Sequence, residues 1–434
     1  MVKQSGLLAD LKARGLIAQM TSEESLAEML NEPQVVYCGF DPTADSLHIG
    51  SLVPLLTLKR FQQAGHTPIV LVGGATGLIG DPSFKSQERQ LNTPDVVASW
   101  VSKIKAQTSQ LINFSEDGTN AAAMANNLDW MSDFNILDFL RDVGKHFSIN
   151  NMINKESVKQ RINREGEGIS FTEFAYMLLQ SYDFAELYRR HRCVLQIGGS
   201  DQWGNIVGGV DLTRRMHGAH VYGLTLPLVT KADGTKFGKT ESGTIWLDPK
   251  KTSPYAFYQF WLNAADADVY KFLKYFTFLS VDDIDKLERV DKDSGTKPQA
   301  QKVLAQEVTR LVHGDDGLRA SEVITRSLFD GSVGGLSVTN LMQLEQDGLP
   351  SSELDASLLA DNSLTSLFVT SDLAKNSKQV KDALMRNAVL VNGAAVGWDM
   401  NMEVNKVFSI DNGLHEKWFI VRLGKKSYHL FKLV

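Results

Sequence analysis

His48-Ile49-Gly50-Ser51 follows a β-branched and aromatic run, residues 34–40 (QVVYCGF), and a turn-forming loop, DPTADS, at the start of an apolar-striped segment. A helix beginning there offers unpaired N–H groups and a partial positive charge, a natural seat for a phosphate, and a glycine lets a nucleotide come close. A histidine at that place can donate to phosphate oxygens; the plainer alternative is a cap. Lys236-Phe237-Gly238-Lys239-Thr240, preceded by Lys231-Ala232-Asp233-Gly234, sets two lysines three apart in a glycine-containing loop. Such a loop can close over a triphosphate and supply charge where a departing pyrophosphate grows more negative. Its alternative is a solvated basic loop. Tyr176, Gln180 and Asp183 stand at i, i+4 and i+7, so one helix face carries a phenol, an amide and a carboxylate. That face is either the wet side of an amphipathic helix or a wall that reads a polar ligand.

Two glycine-rich turns add to these. Gly198-Gly199-Ser200-Asp201-Gln202 follows the strand-like Cys193–Ile197, and Gly73-Gly74-Ala75-Thr76-Gly77, with Asp81-Pro82 beyond it, follows Thr67–Gly73. In parallel α/β sheets ligands bind outside the carboxyl ends of strands, where both turns fall. Neither turn is a GxGxxG dinucleotide fingerprint or a GxxxxGK[ST] phosphate loop.

The elements that must position these residues are legible in the hydrophobic pattern. The run 34–40 and the run 67–73 are continuous apolar strands joined by a helix, with Asp45 or Ser46 as its N-cap, Leu47, Leu55, Leu58 and Phe61 along one stripe, and Gly65 at its end. That unit predicts a parallel sheet covered on both faces. A second unit runs from a helix over about 170–191 through Cys193–Ile197 into a helix over about 202–216, then a strand at Leu224–Val229. Residues 94–165 between the two read as a mostly helical insertion, and 253–329 as helical again. Residues 336–365 hold five acidic residues and no Lys or Arg, which reads as a solvated spacer. The last block, 366–434, carries ten Lys/Arg against six Asp/Glu, a net of +4 that leaves −10 for the rest. It opens with a helix, Ser377–Arg386, and ends in two strand-like runs flanking Lys425-Lys426.

The 434 residues, 43% apolar and 22% charged, suit a folded chain of two to four domains. Cys38 and Cys193 are too few for a disulfide framework and fit a reducing cytoplasm. No stretch approaches the roughly 18 apolar residues of a membrane span, and the first fifteen residues lack a secretory core. A net charge of −6 argues against a protein that coats nucleic acid, though not against a local basic site. His217 and His220 lack the carboxylate or cysteine partners of a metal site, so no protein metal site is expected.

The first two constellations, about 185 residues apart in this order, look like the paired HIGH and KMSKS signatures of class I aminoacyl-tRNA synthetases. The runs Tyr37–His48, Ala75–Ser83, Gln196–Asn205 and Lys236–Thr240 are closer still: they resemble the bacterial tyrosyl-tRNA synthetases over essentially the whole chain. The resemblance implies an α/β, Rossmann-like parallel-sheet catalytic domain over 1–250, whose insertion at about 94–165 forms a homodimer interface. An α-helical anticodon-side domain over 251–335, the acidic spacer and a small α+β RNA-binding module over 366–434 would follow. It implies a tyrosine–tRNA ligase that makes tyrosyl-adenylate and pyrophosphate from L-tyrosine and ATP, with Mg²⁺ arriving on ATP, and passes tyrosine to the terminal adenosine of tRNA. By the same resemblance, Tyr37 and Asp183 bond the phenolic hydroxyl of tyrosine, and Thr76, Asp81, Tyr176 and Gln180 complete its site, the last three at the α-ammonium group. Gly39, Asp41, Thr43, His48, Gly50, Ser51, Gly199, Asp201, Gln202 and Lys239 line the ATP site. His48, Lys236, Lys239 and Thr240 are the catalytic set, and Lys85, Arg89, Lys425 and Lys426 bind tRNA.

The chemistry of activation fits these types, since a tyrosine carboxylate is already ionised and needs no general base. Positioning and charge on the phosphates must then carry the step. Two departures from the signatures stand out. Ser51 replaces the second histidine of HIGH, and Phe237-Gly238 with Thr240 replace Met-Ser and the last Ser of KMSKS. The rivals are a tryptophanyl-tRNA synthetase, a small-molecule nucleotidyltransferase of the HIGH superfamily and a non-catalytic paralogue. The basic tail and the Tyr37–Asp183 pair speak against the first two.

Overall fold

The computed structural model describes residues 6–81, 92–115, 118–155, 158–159, 162–163, 168–232, 234, 237–240, 243–295, 298–359 and 362–434. The chain divides into two compact units, one of residues 1–247 with 265–300, the other of 248–264 with 301–434. The helices of 265–300 fall with the first unit and not with those of 301–335.

The first unit is built on a sheet of six strands: β1 (Gln19–Met20), β2 (Val35–Phe40), β3 (Thr67–Val72), β4 (Ala123–Asn126), β5 (Cys193–Gly199) and β6 (Tyr222–Leu226). Their order is β1-β6-β5-β2-β3-β4, parallel throughout except that β1 runs against β6. The four central strands are those read from the apolar runs, with β6 starting two residues earlier than expected. Both edge strands escaped that reading. Gln19–Met20 is too short to show alternation, and Ala123–Asn126 (AMAN) lies in the insertion taken as helical. Chain order reverses between β2 and β5: β2 leads outward to β3, β5 the other way to β6. Such a switch point opens a crevice at the carboxyl ends of the strands.

The helix after β2 also starts later than expected. Asp45 is held by Lys103 Nζ at 2.9 Å, and the Ser46 hydroxyl accepts from Gln107 Nε2 at 2.9 Å and donates to the Leu47 carbonyl. Neither can cap. The cap is His48, followed by a 3₁₀ turn, Ile49–Ser51, and the helix Leu52–Gln63.

The second unit is organised around a five-stranded sheet formed by β9 (Ser351–Leu354), β10 (Val389–Val391), β11 (Ala394–Val396), β12 (Trp418–Leu423) and β13 (Ser427–Leu433) in the order β11-β10-β12-β13-β9. The short hairpin β7 (Lys239–Thr240) and β8 (Gly243–Thr244) belongs to the first unit. In β12, Phe419, Val421 and Leu423 face one core with Phe368, Leu384 and Phe408; Trp418 and Ile420 face another with Ile324, Leu328 and Leu341. The sheet is therefore covered on both sides, which explains why WFIVRL is a continuous apolar run. This corrects the reading of 336–365 as a spacer. Ser351–Leu354 pairs in parallel with β13, and Leu336, Leu341, Leu344, Leu354, Leu359 and Leu364 are all buried. Acidic side chains coexist with burial because the buried positions are leucines interleaved with them.

Candidate active site

A cavity of about 590 Å³ opens at the switch point, lined from the ends of β2, β3, β5 and β6 and from the helix Phe171–His191. That helix is capped by Ser170, whose hydroxyl accepts from the Glu173 N–H, and it ends at Arg192 in the left-handed region. Tyr176, Gln180 and Asp183 all reach the cavity from it, so the spacing read from the sequence does define a pocket wall.

At the deep end, Tyr37 comes from β2 and meets the Phe184 ring edge-on, with centroids 5.2 Å apart. It is 1% exposed, and its hydroxyl has no hydrogen-bond partner among the described residues. Asp183, 2% exposed, accepts from Trp130 Nε1 at 2.9 Å and from Asn127 Nδ2 at 3.0 Å. Burial pushes its carboxyl up to about 7 against the pull of those two donors. Asn127 and Trp130 were absent from the sequence reading. They lie more than fifty residues before Asp183, on the short helix Leu128–Met131 and its N-cap, where no periodicity marks them.

Asn127 also donates to the Thr76 hydroxyl at 3.0 Å, Thr76 donates to Asp41 Oδ1 at 2.6 Å, and Tyr176 donates to Asp41 Oδ2 at 2.7 Å. Burial first, then the Asp41 charge, raises the Tyr176 hydroxyl well above its ordinary range. A chain of hydrogen bonds thus runs from Trp130 through Asp183, Asn127, Thr76 and Asp41 to Tyr176. Asp41, grouped with the ATP site by the resemblance, is bonded to two residues grouped with tyrosine. A second network joins Gln180 Nε2 to Gln202 Oε1 at 3.2 Å, and Gln202 Nε2 to Asp81 at 2.7 Å and to Asp201 at 3.0 Å. Buried amide oxygens of Gln180 and Gln196 have no partner among the described residues. A glutamine inside the apolar strand CVLQI was the available signal for Gln196.

At the open end, His48 Nδ1 accepts from the Gly50 N–H at 3.0 Å. His48 is thus a cap in its geometry, and the cap orients the ring: with Nδ1 as acceptor, a neutral ring carries its proton on Nε2. A Cβ on Gly50 would lie 2.8 Å from that ring, so the glycine first makes room for the histidine. Gly39, Thr43, Ser51, Gly199 and Asp201 line the same cavity, and Ser51 makes no capping bond with its hydroxyl.

The second signature is brought beside the first. Gly238 O accepts from Ile245 N–H and Ile245 O from Ile49 N–H, both at 3.1 Å, and His48 and Trp246 form a β-bridge. Phe237 reaches the cavity, and Lys239 and Thr240 form β7. Lys85, Arg89 and Lys236 lie outside the described residues. Lys425 and Lys426 are exposed at the turn between β12 and β13 in the second unit.

A family model described as "tRNA synthetases class I (W and Y)" matches residues 29–330, and one described as "Tyrosine--tRNA ligase SYY-like C-terminal domain" matches 340–431. A tyrosine–tRNA ligase of Aliivibrio salmonicida is 60% identical over 432 residues, 99% of each chain. The chain belongs to the tyrosine–tRNA ligases of class I. A relative of that name from Escherichia coli O1:K1 is 57% identical, covering 99% of this chain and 98% of its own. Among solved structures, the C-terminally truncated mitochondrial tyrosyl-tRNA synthetase of Aspergillus nidulans superposes with a TM-score of 0.66 at 31% identity, over 74% of this chain and 94% of that one. The activity is therefore that of a tyrosine–tRNA ligase, with tyrosine, ATP and tRNA as substrates, and the tryptophan-specific, small-molecule and non-catalytic alternatives fall away.

Proposed function

We propose that the cavity binds tyrosine at its closed end and MgATP at its open end, and that the chain's residues activate the amino acid by placement and not by acid–base chemistry. The observation that carries this reading is the buried Tyr37 hydroxyl without a partner, beside the Asp183 carboxylate: a substrate phenol can donate to Asp183 and satisfy Tyr37 together. Phenylalanine would leave both unserved, so rejection follows from buried polar groups. Thr76, Asp81, Tyr176 and Gln180 surround the amino-acid end, with the Asp81 carboxylate for the ammonium group. The tyrosine carboxylate then attacks the α-phosphorus of ATP, the oxygen–phosphorus bond to pyrophosphate breaks, and tyrosyl-adenylate forms. His48, through Nε2–H, and the backbone at Gly50, Gly199 and Asp201 hold the nucleotide. Lys236 and Lys239, with the Thr240 hydroxyl, carry charge and hydrogen bonding to the departing pyrophosphate. A ribose hydroxyl of the terminal adenosine next attacks the mixed anhydride and releases AMP.

Lys85 and Arg89 would guide the acceptor end of tRNA, and Lys425 and Lys426 its body. A homodimer is supported by the helix Ile136–Asp142, which buries none of its residues and leaves Ile136 and Leu137 more than 70% exposed, as is Phe171. No helix among the described residues is long and apolar enough to cross a membrane, and a cytoplasmic setting fits the two unpaired cysteines. The test is exchange of labelled pyrophosphate into ATP with tyrosine, phenylalanine and tryptophan in the absence of tRNA. Exchange with tyrosine alone is expected; equal exchange with phenylalanine would overturn the roles given to Tyr37 and Asp183.

A further inference from the structure

We propose that the helix Asp266–Phe276 is the fixed rail of the lysine loop, and that Asp268, Lys271, Phe272 and Phe276 are positioning residues for the activation step although none lines the cavity. The inference rests on the reading of this loop as the group that meets pyrophosphate. The described residues of the loop meet the helix at both ends of the segment. Near its start, Thr230 O accepts from Lys271 Nζ at 2.8 Å, and Ala232 N–H donates to Asp268 Oδ2 at 3.0 Å. Lys271 and Asp268 also pair with each other at 3.4 Å. Farther on, the Phe237 ring stacks on Phe276 at 5.2 Å with an interplanar angle of 21°, and tilts against Phe272 at 5.0 Å. These helix positions, i, i+3, i+4 and i+8, form one stripe.

The rail is itself anchored. Arg14, 5% exposed, donates to the carbonyls of Lys274 at 3.2 Å and Leu279 at 2.7 Å, and the equally buried Arg60 donates to Thr277 O. Arg60 belongs to the helix that leads away from His48, so the rail and the first signature are tied to one element. On its other side the loop is pinned at Gly238, where φ is 83° and a Cβ would lie 3.0 Å from Ile49 Cγ1. Phe237-Gly238 is thus a knot between the rail and the His48 segment, with Lys239 immediately after it. Anchoring of the backbone immediately before Lys239 reduces the freedom the loop must give up when ATP arrives, and such preorganisation is what stabilisation of charge in a transition state requires.

The test compares Phe276→Leu, Lys271→Met and Phe237→Leu with Lys239→Ala in tyrosine-dependent pyrophosphate exchange by the full chain. Each rail variant is expected to lower kcat by about fivefold or more while KM for tyrosine stays within about twofold, the split expected of an interaction made mainly in the transition state. Phe237→Leu combined with Phe276→Leu should lose clearly less than the sum of the two single losses, because both cut the stacked Phe237–Phe276 contact while each ring also meets Phe272. Lys271 is partly exposed and its replacement keeps the apolar stem, so that variant reads the rail even if Phe276→Leu folds poorly. If Lys239→Ala lowers kcat and the rail variants do not, or if they raise KM for tyrosine in proportion, the rail is overturned. If Lys239→Ala leaves exchange unchanged, it is the reading of the loop that fails.

Discussion

Replacing Tyr37 with phenylalanine should separate stability from function in sign. In the ligand-free protein the Tyr37 hydroxyl is buried without a partner among the described residues, a state that costs about 1–3 kcal/mol. Removing it keeps the edge-on contact with Phe184 and opens no more than a hydroxyl's worth of space, so ligand-free stability should hold or rise by about 1 kcal/mol. With tyrosine bound, the same hydroxyl is expected to make a neutral hydrogen bond worth about 0.5–1.5 kcal/mol, so kcat/KM for tyrosine should fall by about 2- to 13-fold. For phenylalanine the substitution removes an orphaned group, and kcat/KM should hold or rise. The assay is pyrophosphate exchange with both amino acids beside denaturant unfolding without ligand. A loss of stability above about 1 kcal/mol, or an equal loss with both amino acids, would refute the reasoning, since either would mean that the hydroxyl has a partner in the empty site.

Asp183 gives a pH signature. Its carboxyl, raised by burial to about 7, keeps its proton in the folded state after the unfolded chain has released its own near 4, so the folded form binds more protons between those values. Stability of the ligand-free protein should therefore fall as pH rises from about 4 to about 7, and the difference between this protein and Asp183→Asn should isolate that slope; no difference would sink the assignment. Tyrosine, donating to the ionised form, should bind more weakly below about pH 7, seen as a rising KM. Trp130→Phe removes one of the two donors that hold Asp183 ionised, an interaction worth about 1.5–3 kcal/mol, so kcat/KM for tyrosine should drop about tenfold or more and the KM profile should shift to higher pH. An unshifted profile would show that the indole does not govern this carboxylate. Truncation after residue 365 should leave a poorly folded remnant, because it removes four of the five strands and the wall facing Ile324, Leu328 and Leu341; a fragment of 366–434 should likewise unfold for want of β9, Leu354, Leu359 and Leu364. A cooperative unfolding transition from that fragment would contradict the two-faced sheet.

The parts of the molecule that could be read from sequence are those whose burial is complete and local. β2, β3 and β5 are buried on both faces and so appear as unbroken apolar runs, and the glycine turns after them fall where the crevice opens. Tyr176, Gln180 and Asp183 were legible because a helix repeats their spacing onto one wall. What escaped depends on distant partners. Trp130 and Asn127 matter only because the fold lays the insertion against Asp183, and a two-residue edge strand such as β1 carries no period. The acidic composition of 336–365 hid alternating buried leucines, since charge counts report the outer face of an element and say nothing of its inner one. The partner of Phe237 lies in an aromatic-rich helix whose sequence marks a core but not what the core holds.

Cys38 and Cys193 occupy adjoining central strands, both buried, and burial pushes the Cys38 thiol up to about 12 and Cys193 higher still. At pH 8 a thiol of that kind is about three orders of magnitude poorer in thiolate than an exposed one. The same strands that present Tyr37 to the substrate thus silence the native sulfur, and the chain is a ready background for reporters. A single cysteine introduced on the rail or at the hairpin β7–β8 would take a maleimide dye alone, and the arrival of ATP could be watched as a change in that dye's emission without removing either natural cysteine.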